Sequence, residues 1–159
     1  MSRGIAIGLP TVAAVLAPTV VASAYFFVLG GFSREILVIA LWVLVVAAAH
    51  VLLLGLPIYA LLYRLNRVHW WSLTAFGFVA GSVPFGAFAW PLWNARPGAS
   101  SQENGVWTMI DGIPTVDGWI QFGKGLVWFG ALGAIGAFSF WFARERMRSN
   151  KSLERTRGR

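Results

Sequence analysis

The residue best placed to do chemistry in this chain is His50, in Ala47-Ala48-Ala49-His50, with long apolar sequence on both sides. An imidazole in such surroundings can relay protons, ligate a metal, or contact a quinone or a lipid headgroup. The structural alternative is a neutral histidine hydrogen-bonded to a neighbouring helix. The sequence favours that alternative, because no Asp or Glu stands in the same apolar stretches to orient the ring or to take a proton. His69, beside Trp70 and Trp71, reads as an amphipathic boundary residue, and two histidines at different depths do not make a bis-histidine haem pair. Ser82 is a conceivable nucleophile near His50, but a serine next to Gly81 more commonly bonds its own helix or the next one. Glu103, Asp111 and Asp117 could hold a cation, yet Asp111-Gly112 and Asp117-Gly118 are turn formers first.

Whole classes of site are excluded by what the chain lacks. Cysteine is absent, which removes disulfides, thiolate nucleophiles, Cys-ligated zinc and iron–sulfur clusters. There is no His-Glu-x-x-His pair, Gly-x-Ser-x-Gly elbow or phosphate loop, and no pair of carboxylates in an apolar stretch. The sequence therefore implies no catalytic residues, no metal ligands and no bound cofactor.

His50 is carried by one of four long apolar runs, residues 5–29, 36–62, 70–93 and 122–142. Each is long enough to cross a bilayer as a helix, which takes ~20 residues. With 57% hydrophobic and 12% charged residues and a mean hydropathy of +0.66, the chain has too little polar sequence to cover a soluble globule of 159 residues. Arg3, the first apolar run and Ala22-Ser23-Ala24 resemble a signal peptide, but the run continues through Tyr25 to Leu29, past a typical h-region, and reads as a retained helix.

Basic residues set the expected orientation. Arg3, Arg64, Arg67 and seven tail residues fall on one side, against Arg34, Arg96 and Lys124 on the other, so both termini are expected in the cytoplasm. Tyr59, Tyr63, Trp70, Trp71 and Trp141 then form an inner aromatic belt, and Tyr25, Trp90, Trp93, Trp119 and Trp128 an outer one. Gly30-Gly31 and residues 64–69 are tight links. Residues 94–121 form a short extracytoplasmic cap with a hairpin turn at Asp111-Gly112, where Pro114 confines the second strand to an edge. Residues 144–159, with seven basic and two acidic side chains, are expected to be a disordered cytoplasmic tail. Arg144, Arg146, Arg148 and Lys151 would meet anionic headgroups at the inner face. No aromatic platform accompanies them, so nucleic acid is not an expected partner.

Small residues at helical spacing are the packing signal. Thr74, Gly77, Gly81 and Pro84 share one face of the third run, and Gly123, Gly130, Gly133 and Ala137 one face of the fourth. Gly4, Gly8, Thr11, Pro18 and Ala22 make a comparable stripe on the first. Pro18 and Pro84 each lack an amide donor and free the carbonyl four residues earlier, at Ala14 and Ala80. Both are expected kinks whose freed carbonyls face the bundle or water.

The stretches His50 to Pro57, Leu61 to Leu65, Trp70-Trp71-Ser72 and Gly77 to Pro84 resemble a segment of small uncharacterised four-helix bacterial inner-membrane proteins. The resemblance covers the second and third helices and implies a bacterial setting, with no activity attached. The fold expected is an all-α bundle of four transmembrane helices over residues 1–143, in a bacterial inner membrane. The leading expectation for function is a non-enzymatic accessory, scaffold or interaction protein, with a second copy of itself or another membrane protein as the candidate partner. A small oligomeric channel or transporter using His50 and the kinked helices is the alternative, and an intramembrane redox or enzyme subunit the third.

Overall fold

The computed structural model describes residues 5–31 and 34–157. They form α1 (Ile5–Gly30), α2 (Arg34–His50), a π-helical turn (Val51–Gly55), α3 (Leu56–Arg64), α4 (Trp70–Phe88), a 3-10 turn (Pro91–Asn94), strands β1 (Ser101–Glu103), β2 (Val106–Ile110) and β3 (Ile113–Pro114), and α5 (Val116–Arg157). Four helical stretches are long and apolar enough to cross a membrane: Gly8–Gly30, Arg34–Arg64, Trp70–Trp93 and Val116–Ser149. The second runs through α2, the π turn and α3 as one rod.

The links are made by left-handed residues where they were expected. Gly31, at φ +70°, bonds back to Phe27 O at 2.8 Å and closes α1. Asn66, at φ 54°, closes α3 while the Arg67 amide reaches Leu62 O at 2.9 Å, a double backbone cap that lets α4 fold straight back. Ser72 then holds the start of α4: its hydroxyl receives the His69 amide (3.1 Å) and reaches Arg67 O (2.7 Å). At 4% exposure it is a buried polar group with every bond made.

The extramembrane cap is an antiparallel meander in the order β1-β2-β3. Asp111-Gly112, at φ 49° and 78°, is the primed turn expected between β2 and β3, and Pro114 lies on the edge strand. A second primed turn at Asn104-Gly105, φ 52° and 82°, adds β1. Asn-Gly is the strongest short hairpin signal there is, and it was overlooked beside the more conspicuous Asp-Gly. The outer loop is also shorter than 94–121. α5 begins at Val116, because the Thr115 hydroxyl accepts the Gly118 amide (3.1 Å) as an N-cap and Asp117 stands in the first turn. At its other end α5 continues to Arg157, so the backbone of the tail is helical through that residue where a disordered segment was expected.

α5 is the central helix. It packs against both α4 and α1, and α2 lies against α1. The close approaches are made where bulk is missing. A methyl at Gly77 would stand 2.5 Å from Ala137 Cβ and 2.7 Å from Gly133 O, and one at Gly81 or Gly133 would strike the backbone of Phe129 or Gly77. A methyl at Gly130 would meet Ser82 Oγ at 2.5 Å. Gly77, Gly81, Gly130 and Gly133 thus all lie in the α4–α5 contact, whereas Gly123 has open space around it.

On α1 the packed stripe is Pro10, Ala14, Pro18 and Ala22, all buried at a spacing of four. The face expected for α1 was offset: Gly8 faces open space, and Gly4 lies outside the described residues. Prolines on this face are an advantage, because the ring is compact and the carbonyl that Pro18 frees, Ala14 O, is met by α5. A methyl at Gly136 would stand 2.8 Å from that oxygen, so the glycine lets a Cα–H reach it. Pro18 therefore bends no isolated helix; α1 runs unbroken from Ile5 to Gly30.

Gly81→Leu and Gly136→Leu should each cost about 1–3 kcal/mol through overpacking, and Val79→Leu, on the exposed face of α4, almost nothing. Thermal aggregation of the three variants in detergent checks this, and equal behaviour of all three would contradict the packing described.

Candidate functional site

Because α2 rests on α1 and packs extensively on neither α4 nor α5, a gap opens between α2 and α4. None of the α2 side chains is buried. The gap is an apolar groove of about 410 Å³ to which every long helix contributes a wall. Ala14, Pro18 and Ala22 of α1 and Leu132, Gly133 and Gly136 of α5 form its floor, while Trp42, Phe76, Trp128 and Phe129 bring aromatic faces to it.

His50 lines this groove at the junction of α2 and the π turn. The junction has a sequence cause. Pro57 cannot donate a hydrogen bond, and its ring presses on the carbonyl four residues earlier, at Leu53. The helix widens to relieve that pressure: the Leu56 amide bonds Val51 O, five residues back, instead of the oxygen four back. From the sequence Pro57 reads as a small or kinking residue on the face of His50; the distortion takes the form of the π turn at Val51–Gly55.

The hydrogen bond expected from His50 to a neighbouring helix is not made. Its Nδ1 lies 2.8 Å from Val46 O, one turn back on its own helix. A carbonyl only accepts, so in the neutral imidazole Nδ1 carries the proton and Nε2 is left as an acceptor. No described residue bonds Nε2. The ring is thus held from within α2, and its second nitrogen has no partner among the described residues.

The other polar candidates are employed elsewhere. Ser82 does not line the groove; its hydroxyl is 3.0 Å from both Phe78 O and Leu126 O, so its single proton is shared between two carbonyls and ties α4 to α5. Such a hydroxyl is a fastener, not a nucleophile. His69 stacks on Trp71 at the start of α4, ring centroids 6.2 Å apart. Asp111 accepts the Gly98 amide at 2.5 Å and anchors the hairpin turn. Among the described residues no three His, Asp or Glu side chains are grouped as metal ligands would be.

Aromatic residues collect at the two ends of the rods. Tyr25 packs on Trp128 (4.8 Å) and Trp90 on Trp119 and Phe122 (both 5.6 Å) at one end, and Tyr59 on Phe140 (4.9 Å) at the other. There the basic residues begin. Arg144 lies over the Tyr59 ring at 5.7 Å and Arg146 over Phe142 at 5.2 Å, while Arg148 makes an exposed 3.5 Å pair with Glu145. The side chain of Lys151 lies outside the described residues. Of the two expected kink prolines, Pro18 lines the groove directly, and Pro84 bears on it through Ala80, the groove residue whose carbonyl it cannot bond.

Since the His50 bond is local, His50→Leu should change stability by no more than about 1 kcal/mol. An unchanged size-exclusion profile and aggregation temperature check this, and collapse of the fold would show that the imidazole holds helices together.

Comparison with protein-family models, with curated proteins and with solved structures found no match to this chain.

Proposed function

We propose that this chain is a non-enzymatic integral membrane protein of a bacterial inner membrane, an accessory or interaction protein whose working surface is the groove between α2 and α4. The observation that carries the reading is the placement of α2. A helix with no buried side chain, seated on one neighbour, leaves an apolar cleft lined from all four helices. In a bilayer such a cleft holds a hydrophobic partner without any group leaving the lipid phase, and the partner's fit depends on van der Waals contact with its walls.

Both termini belong on the cytoplasmic side in this reading, with the β meander outside. Support comes from the ten-to-three division of basic residues and from the Arg144, Arg146 and Arg148 cluster, which follows the Tyr59–Phe140 aromatic contact at one end of α5. The tail then lies against anionic headgroups. An ion path has no comparable support, since the groove walls are almost wholly aliphatic and aromatic and no carboxylate lines them.

Two measurements test the reading. A cytoplasm-active reporter should work when fused after Asn66 and a periplasm-active one after Gly105; the reverse at Gly105 would overturn the orientation. For the groove, native mass spectrometry of protein extracted gently from membranes should find a retained hydrophobic molecule. Ala80→Phe, which fills the cleft from its α4 wall, should lose it while keeping the same size-exclusion profile. Equal retention by both proteins would refute a role for the groove.

A further inference from the structure

The groove has a polar feature that ordinary lipid cannot satisfy. Arg34–Arg64 is a continuous rod, and at ~1.5 Å per residue His50 stands about 24 Å from Arg34 and about 21 Å from Arg64. Those charges belong at opposite headgroup layers of a bilayer whose hydrocarbon core is ~30 Å thick, so His50 lies near the midplane. The glycerol and headgroup of a phospholipid do not reach that depth, and its acyl chains have nothing to offer a lone pair. His50 nevertheless lines a groove that lipid would fill, and no described residue bonds its Nε2. Its tautomer is set by Val46 O, which occupies the proton on Nδ1, so Nε2 presents an acceptor and no donor.

We propose that the groove is a binding site for a neutral, membrane-dissolved phenol or hydroquinone bearing an apolar chain, with the ring hydroxyl donating to His50 Nε2. The inference rests on the groove being the working surface. Each element of the occupant answers a feature of the wall. A donor is required because Nε2, with Nδ1 carrying the proton, only accepts. The occupant must be uncharged, since no opposite charge lines the groove to compensate one at this depth. The ring suits a lining that includes Trp42, Phe76, Trp128 and Phe129, aromatic side chains against which a planar partner can pack. The chain fills the remainder, against Ala14, Ala22 and Gly136. A quinone, which carries carbonyl acceptors only, is the wrong partner for the same nitrogen.

The test uses the full chain in lipid nanodiscs and two probes, 2-bromo-4-nonylphenol and its methyl ether, which differ in the donor alone. Binding is read as bromine quenching of tryptophan fluorescence, with a Trp42→Phe, Trp128→Phe double variant identifying the quenching that comes from the groove. The phenol should bind roughly ten times more tightly than the ether, as one neutral hydrogen bond in a dry site implies. In His50→Leu the two probes should bind alike, at the ether's affinity. Equal binding of phenol and ether to the unaltered chain, with both displaced by Ala80→Phe, would overturn the hydrogen-bond inference and leave the groove intact. Saturable quenching that survives in the double tryptophan variant, or that Ala80→Phe does not reduce, would place the probes elsewhere and sink the groove reading as well.

Discussion

The backbone contact between α4 and α5 is the constraint on which the rest of this structure depends. Between helices in lipid there is no water to expel, so association rests on dispersion, weak hydrogen bonds and the entropy of displaced lipid, and each improves as backbones approach. Gly77, Gly81 and Gly133 bring them so close that none of the three positions has room for a methyl group. The Ser82 hydroxyl, donating to Leu126 O, fastens the same seam with a side-chain hydrogen bond between the two helices. With that pair fixed, α5 offers its opposite face, at Gly136, to the proline-and-alanine stripe of α1. α2 receives no such invitation, and the groove is the remainder.

This division of packing explains why the chemistry gathers where it does. α4, α5 and α1 use their small residues on one another, and two polar atoms are engaged in those contacts: the Ser82 hydroxyl by Leu126 O, and Ala14 O by the close approach of Gly136. The helix left out of close packing is also the one that carries His50. A closely packed helix has no space for an imidazole with an unpaired nitrogen; a loosely seated one has. The loose seating of α2 and the free Nε2 of His50 are therefore two views of a single circumstance.

Much of the fold was legible in residue order because the signals were local. The four apolar runs, the left-handed Gly31 and Asn66 turns, the Asp111-Gly112 hairpin and the glycines of α4 and α5 each follow from a short stretch of chain and one rule. The errors also have local causes. Thr115 was not recognised as a helix cap, so α5 was started late, and Asn104-Gly105 was passed over, so a strand was missed. The site was much less legible. His50 stood out by type, but its acceptance by Val46 O and the groove beside it depend on how far α2 stands from α4, which is decided by packing between helices distant in sequence. Periodicity says which face of α1 is small; it does not say that Pro10 and Ala14, rather than Gly8, are the residues that meet α5.

The π turn at Val51–Gly55 also sets the angular phase between the two halves of a long rod. An α-helix advances about 100° per residue, and a π turn accommodates an additional residue without lengthening the rod by a full α-helical step. Residues on either side of the turn therefore face directions that an unbroken helix would not give them. His50 and Val46 are phased by the half that leans on α1, and Tyr59 by the half that meets α5 at Phe140. A rod in a single phase could serve one of those contacts fully and the other only in part. Chain length within these five residues is thus a stricter requirement than side-chain identity: substitutions among Val51, Leu52, Leu53 and Leu54 preserve the phase, whereas gain or loss of one residue rotates the histidine about the rod axis and carries Nε2 out of the groove.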